Sequence, residues 1–328
     1  MKSFEIRKED EGQTLLKYIK RILLSSNDSF IFKMLRKKNF VLNDKKATGN
    51  EKLIEGDVVK LYLSDDTFNN FAKRDKKIKT DEYMESYARF GNPDIVYEDK
   101  HIIILNKPVD MLSQKAKKDD LSANEWLIGY LLYKKELTAE DLSNFMPSVC
   151  NRLDRNTGGM LLFGRSAFGS NVLNEMLRER TLDKYYLTAV KGEVKEKANV
   201  KAYLSKDESN NTVTVLQEKK DESFDLIKTE YIPVEYIKNL NITFLKVKLI
   251  TGRSHQIRAH LAHLNHPVIG DFKYGDKAVN ERFKKEYKIA NQILFCTEMT
   301  FPDMENYPEV SGMTFKIKEP PVFNRLRG

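Results

Sequence analysis

The stretch Asn151-Arg-Leu-Asp-Arg-Asn-Thr-Gly-Gly-Met-Leu-Leu-Phe-Gly-Arg165 joins a charged turn to an apolar strand. Asp154 stands between Arg152 and Arg155, and a Thr-Gly-Gly turn separates it from the apolar run Met160 to Phe163. Two neighbouring guanidinium groups favour a negatively charged carboxylate, which can act as a nucleophile when it is partly shielded from water. A surface ion pair at the start of a strand is the alternative. Either way, the pattern predicts a strand with Asp154 at its head.

Length and composition narrow the class of protein. A chain of 328 residues with 41% apolar residues is long enough for two domains and a substantial core. No apolar run is long enough for a membrane span, and the N-terminus lacks the apolar segment of a secretory signal. Two isolated cysteines, Cys150 and Cys296, do not make a disulfide framework, so we expect a reducing, cytoplasmic setting. The net charge of +8 favours a polyanionic partner, with nucleic acid first.

Residues 1–64 predict a small α/β domain. Leu15, Ile19, Ile22 and Leu23 mark one apolar face of a first helix. A second helix is expected to turn Phe32 and Leu35 inward and to carry Lys33, Arg36 and Lys37 on its opposite face. A hairpin around Asn43-Asp44 and a strand from Val58 to Leu63 follow.

This order resembles the small RNA-binding domain of ribosomal protein S-four. The resemblance implies that the second helix and the hairpin bind structured RNA, with Lys33, Arg36 and Lys37 as contacts. A merely solvated basic face is the alternative.

Residues 65–93 are predicted to be a linker, because charges of both signs crowd together at Lys73-Arg-Asp-Lys-Lys77 and Gly91-Asn-Pro93 breaks any regular element. Asp81 to Arg89 predicts a short helix within it. Residues 94–328 then alternate many short strands with few helices. The predicted class is α+β, with a mixed, mainly antiparallel sheet.

Several motifs in one order resemble the RluA-type family of RNA pseudouridine synthases, and the leading domain fits its RluC/RluD-like branch. They are Asn106-Lys-Pro108, Asn151 to Thr157, Lys184-Tyr-Tyr186 with Gly192, Thr251-Gly-Arg-Ser-His-Gln-Ile-Arg-Ala-His260, His266-Pro-Val-Ile-Gly-Asp271 and Tyr274-Gly275. The resemblance covers residues 94–328.

The resemblance implies a reaction. Such enzymes cut the N1–C1′ bond of a chosen uridine, turn the base and rejoin it through C5. Neither a metal nor an organic cofactor is needed, because nothing is oxidised or hydrolysed. Asp154 matches the catalytic aspartate, and an anion suits the oxocarbenium character of the sugar. Attack at C1′, addition at C6 and removal of a sugar proton all remain open for it.

Other motif positions acquire roles by the same resemblance. Arg152 matches the residue that fills the stack where the target uridine flips out; a simple phosphate or carboxylate partner is the alternative. Tyr186 matches the active-site tyrosine, which stacks on uracil or assists a proton transfer, and a core tyrosine is the alternative. Arg253 matches the basic partner of Asp154. Arg258 is then expected to bind RNA phosphate or a structural carboxylate.

A zinc site and a cysteine nucleophile are both disfavoured. His260-x-x-His263-x-x-His266, with His255, does not have the spacing of a known zinc ligand set, so structural or RNA-facing histidines are preferred. Cys150 has no histidine nearby in sequence to activate it.

Three positions depart from the family pattern and bear on loop geometry. Asn151 stands where histidine is frequent, Gly158 where serine is frequent, and Asp110 where glycine usually follows the Lys-Pro pair.

The sequence as a whole predicts a cytoplasmic RNA pseudouridine synthase that acts on large-subunit ribosomal RNA. It leaves the oligomeric state open, with a monomer favoured. A synthase for transfer RNA is the alternative within the class. A non-catalytic RNA-binding factor in ribosome assembly is the alternative outside it, and retention of Asp154, Tyr186 and Arg253 argues against that. A hydrolytic glycosidase lacks a paired general acid.

Overall fold

The computed structural model describes residues 1–72, 80–117, 119–207 and 209–328, and for Glu9 the backbone alone. Over these residues the backbone forms a sheet of four strands and a sheet of eleven. Separate clusters of buried apolar residues lie against the two sheets.

The small sheet lies within residues 1–64. Its hairpin turns at Asn43 and Asp44, whose φ values of 49° and 61° suit a two-residue turn. The inward residues of the second helix are Ile31 and Leu35, so the prediction for Phe32, which is 38% exposed, is wrong. The elements are β1 (Lys2–Glu5), a 3-10 turn (Lys8–Asp10), α1 (Leu15–Ile22), α2 (Asp28–Arg36), β2 (Phe40–Leu42), β3 (Lys45–Lys46) and β4 (Val58–Leu61), with strand order β1-β4-β2-β3.

The predicted linker contains two helices, α3 (Asp65–Ala72) and α4 (Asp81–Phe90). The mixed charges on which the prediction rested lie largely at 73–79, outside the described residues. Phe68 and Phe71 of α3 pack against the small core, whereas α4 packs against the large core. The short helix predicted from Asp81 is confirmed, and the domain limits at 64 and 94 stay a prediction.

The large sheet confirms the predicted α+β class with a mainly antiparallel sheet. Its strands are β5 (Ile95–Glu98), β6 (Ile102–Lys107), β7 (Ser148–Val149), β8 (Gly158–Gly164), β9 (Asp183–Lys191), β10 (Ala198–Asp207), β11 (Thr212–Leu216), β12 (Asp225–Ile237), β13 (Ile242–Leu249), β14 (Leu294–Thr300) and β15 (Thr314–Lys316). The order is β11-β10-β12-β13-β9-β14-β8-β6-β5, with β15 beside β14 and β7 beside β8. Among the described strand pairs, β8 and β14 alone run parallel.

Helices cover this sheet and close its core. They are α5 (Ala123–Tyr133), α6 (Ala139–Asn144), α7 (Ala167–Glu179), α8 (Gln256–His263), α9 (Lys277–Tyr287) and α10 (Pro321–Arg327). Every residue of β8 is buried, as expected for a strand covered on both faces. Since β8 is fixed by its neighbours, the turn that precedes it has a rigid base. Within the described residues, no helix is long and apolar enough to cross a membrane.

Candidate active site

Asp154 lies in the turn directly before β8, as predicted. The amide of Thr157 donates to the Asp154 carbonyl at 3.0 Å and so closes the turn. Asn151 Oδ1 accepts from the Leu162 amide at 2.7 Å, which ties the start of the turn back to the strand. The turn is therefore held at both ends by hydrogen bonds within its own segment.

Ser113 holds the backbone of Leu153, the residue before Asp154, through two hydrogen bonds. Its Oγ donates to the Leu153 carbonyl at 2.9 Å and accepts from the Leu153 amide at 3.0 Å. Ser113 is 4% exposed, so water does not compete for these bonds. One hydroxyl thus satisfies both backbone groups of the residue next to Asp154.

Lys107 supports the same turn from the core. Its Nζ donates to the carbonyls of Met111 at 2.8 Å, Pro108 at 2.9 Å and Arg155 at 3.2 Å. Burial lowers the pKa of Lys107 to about 7, while Asp154 and Asp110 oppose that shift. Three carbonyl acceptors also match the three donors of an ammonium group, so the geometry favours the charged form.

Asp110 explains how the loop does without the usual glycine. Its φ is 60°, the left-handed conformation that glycine adopts most easily and aspartate tolerates better than most residues. Asp110 therefore adopts the conformation that favours glycine, in the loop that brings Met111 and Ser113 to the turn.

Arg258 joins two carboxylates. Its Nη1 donates to Asp154 Oδ2 at 2.7 Å, while Nε and Nη2 donate to Asp271 at 2.7 and 2.9 Å. Asp271 is fully buried, and burial opposes its charge, but the Arg258 guanidinium overcomes this and lowers the pKa of Asp271. Burial likewise opposes the charge of Arg258, and the two carboxylates outweigh it and raise its pKa. The arrangement fixes one carboxylate oxygen of Asp154.

The predicted pairing of Arg253 with Asp154 is wrong. Arg253 Nη2 donates to Asp225 Oδ1 at 3.0 Å, and its side chain is 44% exposed. The reason is local: α8 begins only at Gln256, whose Oε1 accepts from the Arg253 amide, so Arg253 precedes the helix and lies at the rim. Arg258, inside the helix, faces inward. The expectation of a structural carboxylate for Arg258 is correct through Asp271, but the contact with Asp154 was missed.

Tyr186 lies on β9 with its ring in the same cleft, and Tyr185 points to the other face, where the amino groups of Lys246 and Lys248 lie over its ring. Tyr186 is 5% exposed. Burial, followed by Cys296 and Asp154, raises the pKa of Tyr186 well above its ordinary value, so the phenol keeps its proton. A neutral ring suits stacking and hydrogen bonding better than proton abstraction.

The cleft around Asp154 has a volume of about 1140 Å³, and the charged groups that line it are cations except for Asp154 itself. Arg152 and Arg155 are both exposed, and over the described residues no hydrogen bond or ion pair joins either to Asp154. The charged lining consists of Asp154 and of Lys115, Arg152, Arg155, Arg178, Arg180, Lys184, Lys206, Arg253, Arg258 and Lys273. One anion among so many cations fits a polyanionic ligand.

The remaining predicted contacts lie elsewhere. Lys33, Arg36 and Lys37 are exposed at the end of α2 and do not line the cleft. Of the histidines, His260 Nδ1 lies 3.0 Å from Thr229 Oγ1 and His266 Nδ1 lies 3.0 Å from the Lys191 carbonyl. Over the described ranges, no group of three or more His, Cys, Asp or Glu side chains is arranged to hold a metal ion.

His255 and Tyr274 adjoin Asp154 and were not predicted as a pair. His255 Nε2 lies 3.9 Å from Asp154 Oδ1, and His255 Nδ1 lies 2.8 Å from the Tyr274 hydroxyl. Both belong to quoted motifs, but spacing in sequence gives no sign that a residue 19 positions later completes the contact.

Together these features place an oriented carboxylate in a cleft whose other charged groups are cations, as an enzyme that acts on a polyanion requires. Comparison with known proteins gives its class. A profile of the RNA pseudouridylate synthase family matches residues 101–263.

An uncharacterized RNA pseudouridine synthase of Mycoplasma capricolum is 29% identical over 90% of this chain and 92% of its own length. A ribosomal large subunit pseudouridine synthase C of Rickettsia bellii is 28% identical over 94% of this chain and 95% of its own. The structure of human RNA pseudouridylate synthase domain containing 4 shares the fold, with a TM-score of 0.56 at 18% identity over 76% of this chain and 97% of that one. The chain belongs to the RNA pseudouridine synthase family, which confirms the resemblance drawn from the motifs.

Proposed function

We propose that this chain converts uridine to pseudouridine in large-subunit ribosomal RNA, with Asp154 as the catalytic carboxylate. The observation that carries the proposal is the ion pair between Asp154 Oδ2 and Arg258 Nη1, at 2.7 Å, in a cleft lined by cations. An oriented anion there has one oxygen fixed by Arg258, and its side chain lines the cleft.

The reaction breaks the N1–C1′ bond and forms a C5–C1′ bond. The hydrogen at C5 leaves and N1 gains one, so atoms and electrons balance without water or an oxidant. Positive charge develops at C1′ during cleavage, and a nearby carboxylate stabilises it. Asp154 supplies that carboxylate, and Arg258 keeps it oriented.

Tyr186 is proposed to stack on the flipped uracil as a neutral ring. A buried aromatic face suits a base that has left its stack. Arg152, exposed at the rim, is proposed to occupy the gap in the RNA, since a planar guanidinium can both stack and bind phosphate. Arg253 is assigned to phosphate contacts, because it lines the cleft at the rim and pairs with Asp225 rather than Asp154.

Residues 1–64 are proposed to form an S-four-like RNA-binding domain of a synthase in the RluC/RluD-like branch. The order of two helices followed by a hairpin and a strand supports this, as does the exposure of Lys33, Arg36 and Lys37. The large-subunit substrate is supported by the Rickettsia bellii relative, which is named for it. We infer a cytoplasmic enzyme and favour a monomer.

Asp154→Asn tests the catalytic proposal. Purified enzyme is incubated with ribosomal RNA transcripts labelled with tritium at uridine C5, and release of tritium reports C5 attachment. The variant should lose activity by at least about 10³-fold, with RNA affinity unchanged. Asp183→Asn is the matched control, because Asp183 also pairs with a cation, Lys248 at 2.6 Å, but does not line the cleft. Full activity of Asp154→Asn contradicts the proposal.

Mapping of pseudouridine in cells with and without the chain tests the substrate. Loss of sites in large-subunit ribosomal RNA is expected. Loss in transfer RNA alone would establish the other substrate, and no loss at all would favour a non-catalytic RNA-binding factor.

A further inference from the structure

His255 has an unusual backbone conformation beside the catalytic carboxylate. Its φ is 54°, which is left-handed, and it caps the start of α8 without a side-chain bond to that helix. Such conformations are strained in residues other than glycine and concentrate at functional sites. The turn directs the imidazole to Asp154 rather than along the helix, and the side chain is 10% exposed.

The hydrogen bonds of Tyr274 determine which nitrogen of His255 carries the proton. The Tyr274 oxygen accepts from the Val213 amide at 3.0 Å. The hydroxyl hydrogen of Tyr274 then needs an acceptor. Among the described residues, that acceptor is His255 Nδ1, which lies 2.8 Å from the hydroxyl oxygen. Since Nδ1 accepts, a neutral imidazole must carry its hydrogen on Nε2.

That Nε2–H faces Asp154 Oδ1 across 3.9 Å. The distance exceeds a hydrogen bond but allows a charge–dipole attraction. Hydrogen bonds in active sites are often long before substrate binds and tighten afterwards. Arg258 already holds the other oxygen, so the two groups act on opposite oxygens of one carboxylate.

Tyr274 is itself fixed from three sides. Val213, which supplies the amide, lies on β11. The neighbouring Lys273 Nζ donates to the Asn211 carbonyl just before that strand. The ring of Tyr274 lies 5.2 Å from the Arg258 guanidinium carbon. The hydroxyl is therefore held in place and has little freedom to rotate away from His255.

We propose that Tyr274 and His255 are positioning residues for the reaction: the Tyr274 hydroxyl holds His255 as its Nε2–H tautomer, and that N–H orients Oδ1 of Asp154 toward the substrate. The proposal rests on the proposed catalytic role of Asp154. It assigns neither residue a contact with RNA.

Single-turnover kinetics at saturating RNA test the consequence. Tyr274→Phe removes the hydroxyl and keeps the ring, so the rate should fall about 10- to 100-fold, the effect expected for a misplaced catalytic group, with the Kd for RNA unchanged. Tyr236→Phe is the matched control, because the Tyr236 hydroxyl also donates to a side chain, Asn241 Oδ1 at 3.0 Å, and does not line the cleft. His255→Gln places an amide N–H near the position of Nε2 and should recover most of the rate that His255→Leu loses.

The tautomer is measured without RNA, by long-range proton–nitrogen NMR of protein labelled at its histidine nitrogens. The five histidines are few enough to assign His255 by its absence in His255→Gln. We expect an Nε2–H imidazole in the wild type and a population protonated at Nδ1 in Tyr274→Phe.

The two measurements separate the possible failures. An Nδ1–H tautomer in the wild type overturns the proposal, and so does a Tyr274→Phe rate equal to that of the wild type. A Tyr274→Phe effect confined to RNA affinity also overturns it. If the wild type forms no pseudouridine, the proposed function fails, while the NMR result still decides the tautomer. If Tyr274→Phe does not fold, the Gln and Leu variants of His255 decide the positioning role.

Discussion

Arg258 is the residue on which two carboxylates depend. In Arg258→Ala, Asp154 loses its partner and Asp271, which is fully buried, keeps an uncompensated charge. Removing one partner of a buried ion pair costs about 3–5 kcal/mol. We expect a loss of that size in the free energy of unfolding, measured with urea, together with loss of pseudouridine formation.

Arg258→Lys separates charge from geometry. A single ammonium cannot make the three bonds that the guanidinium makes to the two carboxylates, so activity should remain low even if stability is partly restored. Arg253→Ala is the comparison, since its pair with Asp225 is half exposed and such pairs contribute about 0–1 kcal/mol. A larger fall in the single-turnover rate for Arg253→Ala than for Arg258→Ala would reverse the assignment.

His260 should make folding stability depend on pH. Its side chain is 1% exposed, and burial, with His263 nearby, lowers the pKa of His260 from 6.5 to about 4. The unfolded chain therefore takes up a proton that the folded chain resists. The contribution of His260 to the free energy of unfolding is fully present above about pH 6.5. It falls by on the order of 3 kcal/mol as the pH drops from there through 4.

The comparison of His260→Gln with the wild type isolates this effect from that of other groups. The unfolding free energy of the variant, measured with urea from pH 7 to 4.5, should fall less steeply than that of the wild type. His263→Gln, an exposed position on the same helix, should stay much closer to the wild-type curve, because burial is the larger cause of the lowered pKa of His260. Parallel curves for the wild type and His260→Gln would contradict the assignment.

At the scale of elements, β8 depends on a glycine where it meets β14. Gly159 has a φ of 100°, and a Cβ there would lie 2.2 Å from the Cys296 carbonyl oxygen. Gly159→Ala should therefore cost about 3 kcal/mol through overpacking and backbone strain. It should also lower the turnover rate, because β8 anchors the Asp154 turn.

Gly12→Ala is the control for Gly159→Ala. Gly12 has a φ of 81° but open space around the missing Cβ, so it reports the backbone strain without the clash. Thermal unfolding of both variants measures the difference. Equal destabilisation would mean that the close contact with β14 contributes nothing.

Elements with strong local signals were predictable from sequence. The helices α5 and α7, the strand β8 and the hairpin at Asn43 follow from caps, apolar runs and turn residues. The strand β10 has a weaker local signal, because two of its ten residues are buried and the rest are partly or fully exposed. The sequence indicated which motifs contribute residues to the site, but not which side chains pair with each other. Arg253 and Arg258 occur in one motif, and the choice between them depends on where α8 begins and on Asp271, a tertiary contact.

At the scale of the molecule, positive charge lies both in the cleft and on α2. The cleft cations surround Asp154, whereas Lys33, Arg36 and Lys37 lie on α2 and at its C-terminal end. Each phosphate neutralised by a protein cation releases counterions, so the slope of log K against log salt reports how many contacts form. Salt slopes of variants in each group can therefore measure separately how many phosphate contacts the cleft cations and the α2 cations make.

Replacing Lys33, Arg36 and Lys37 together with Gln should reduce the salt slope for long structured RNA by up to about two units. The apparent KM for that RNA should rise, while turnover at saturation stays near wild type, because Asp154, Tyr186 and Arg258 lie against the other sheet. Activity on a minimal stem-loop should fall much less.

Gln replacements at Lys277, Lys284 and Lys285, exposed on α9, remove equal charge elsewhere and should leave the slope nearly unchanged. Equal slope changes in the two triple variants would mean that net charge, rather than a binding face on α2, attracts the RNA. A loss of turnover at saturating RNA would mean that the small domain takes part in the reaction itself.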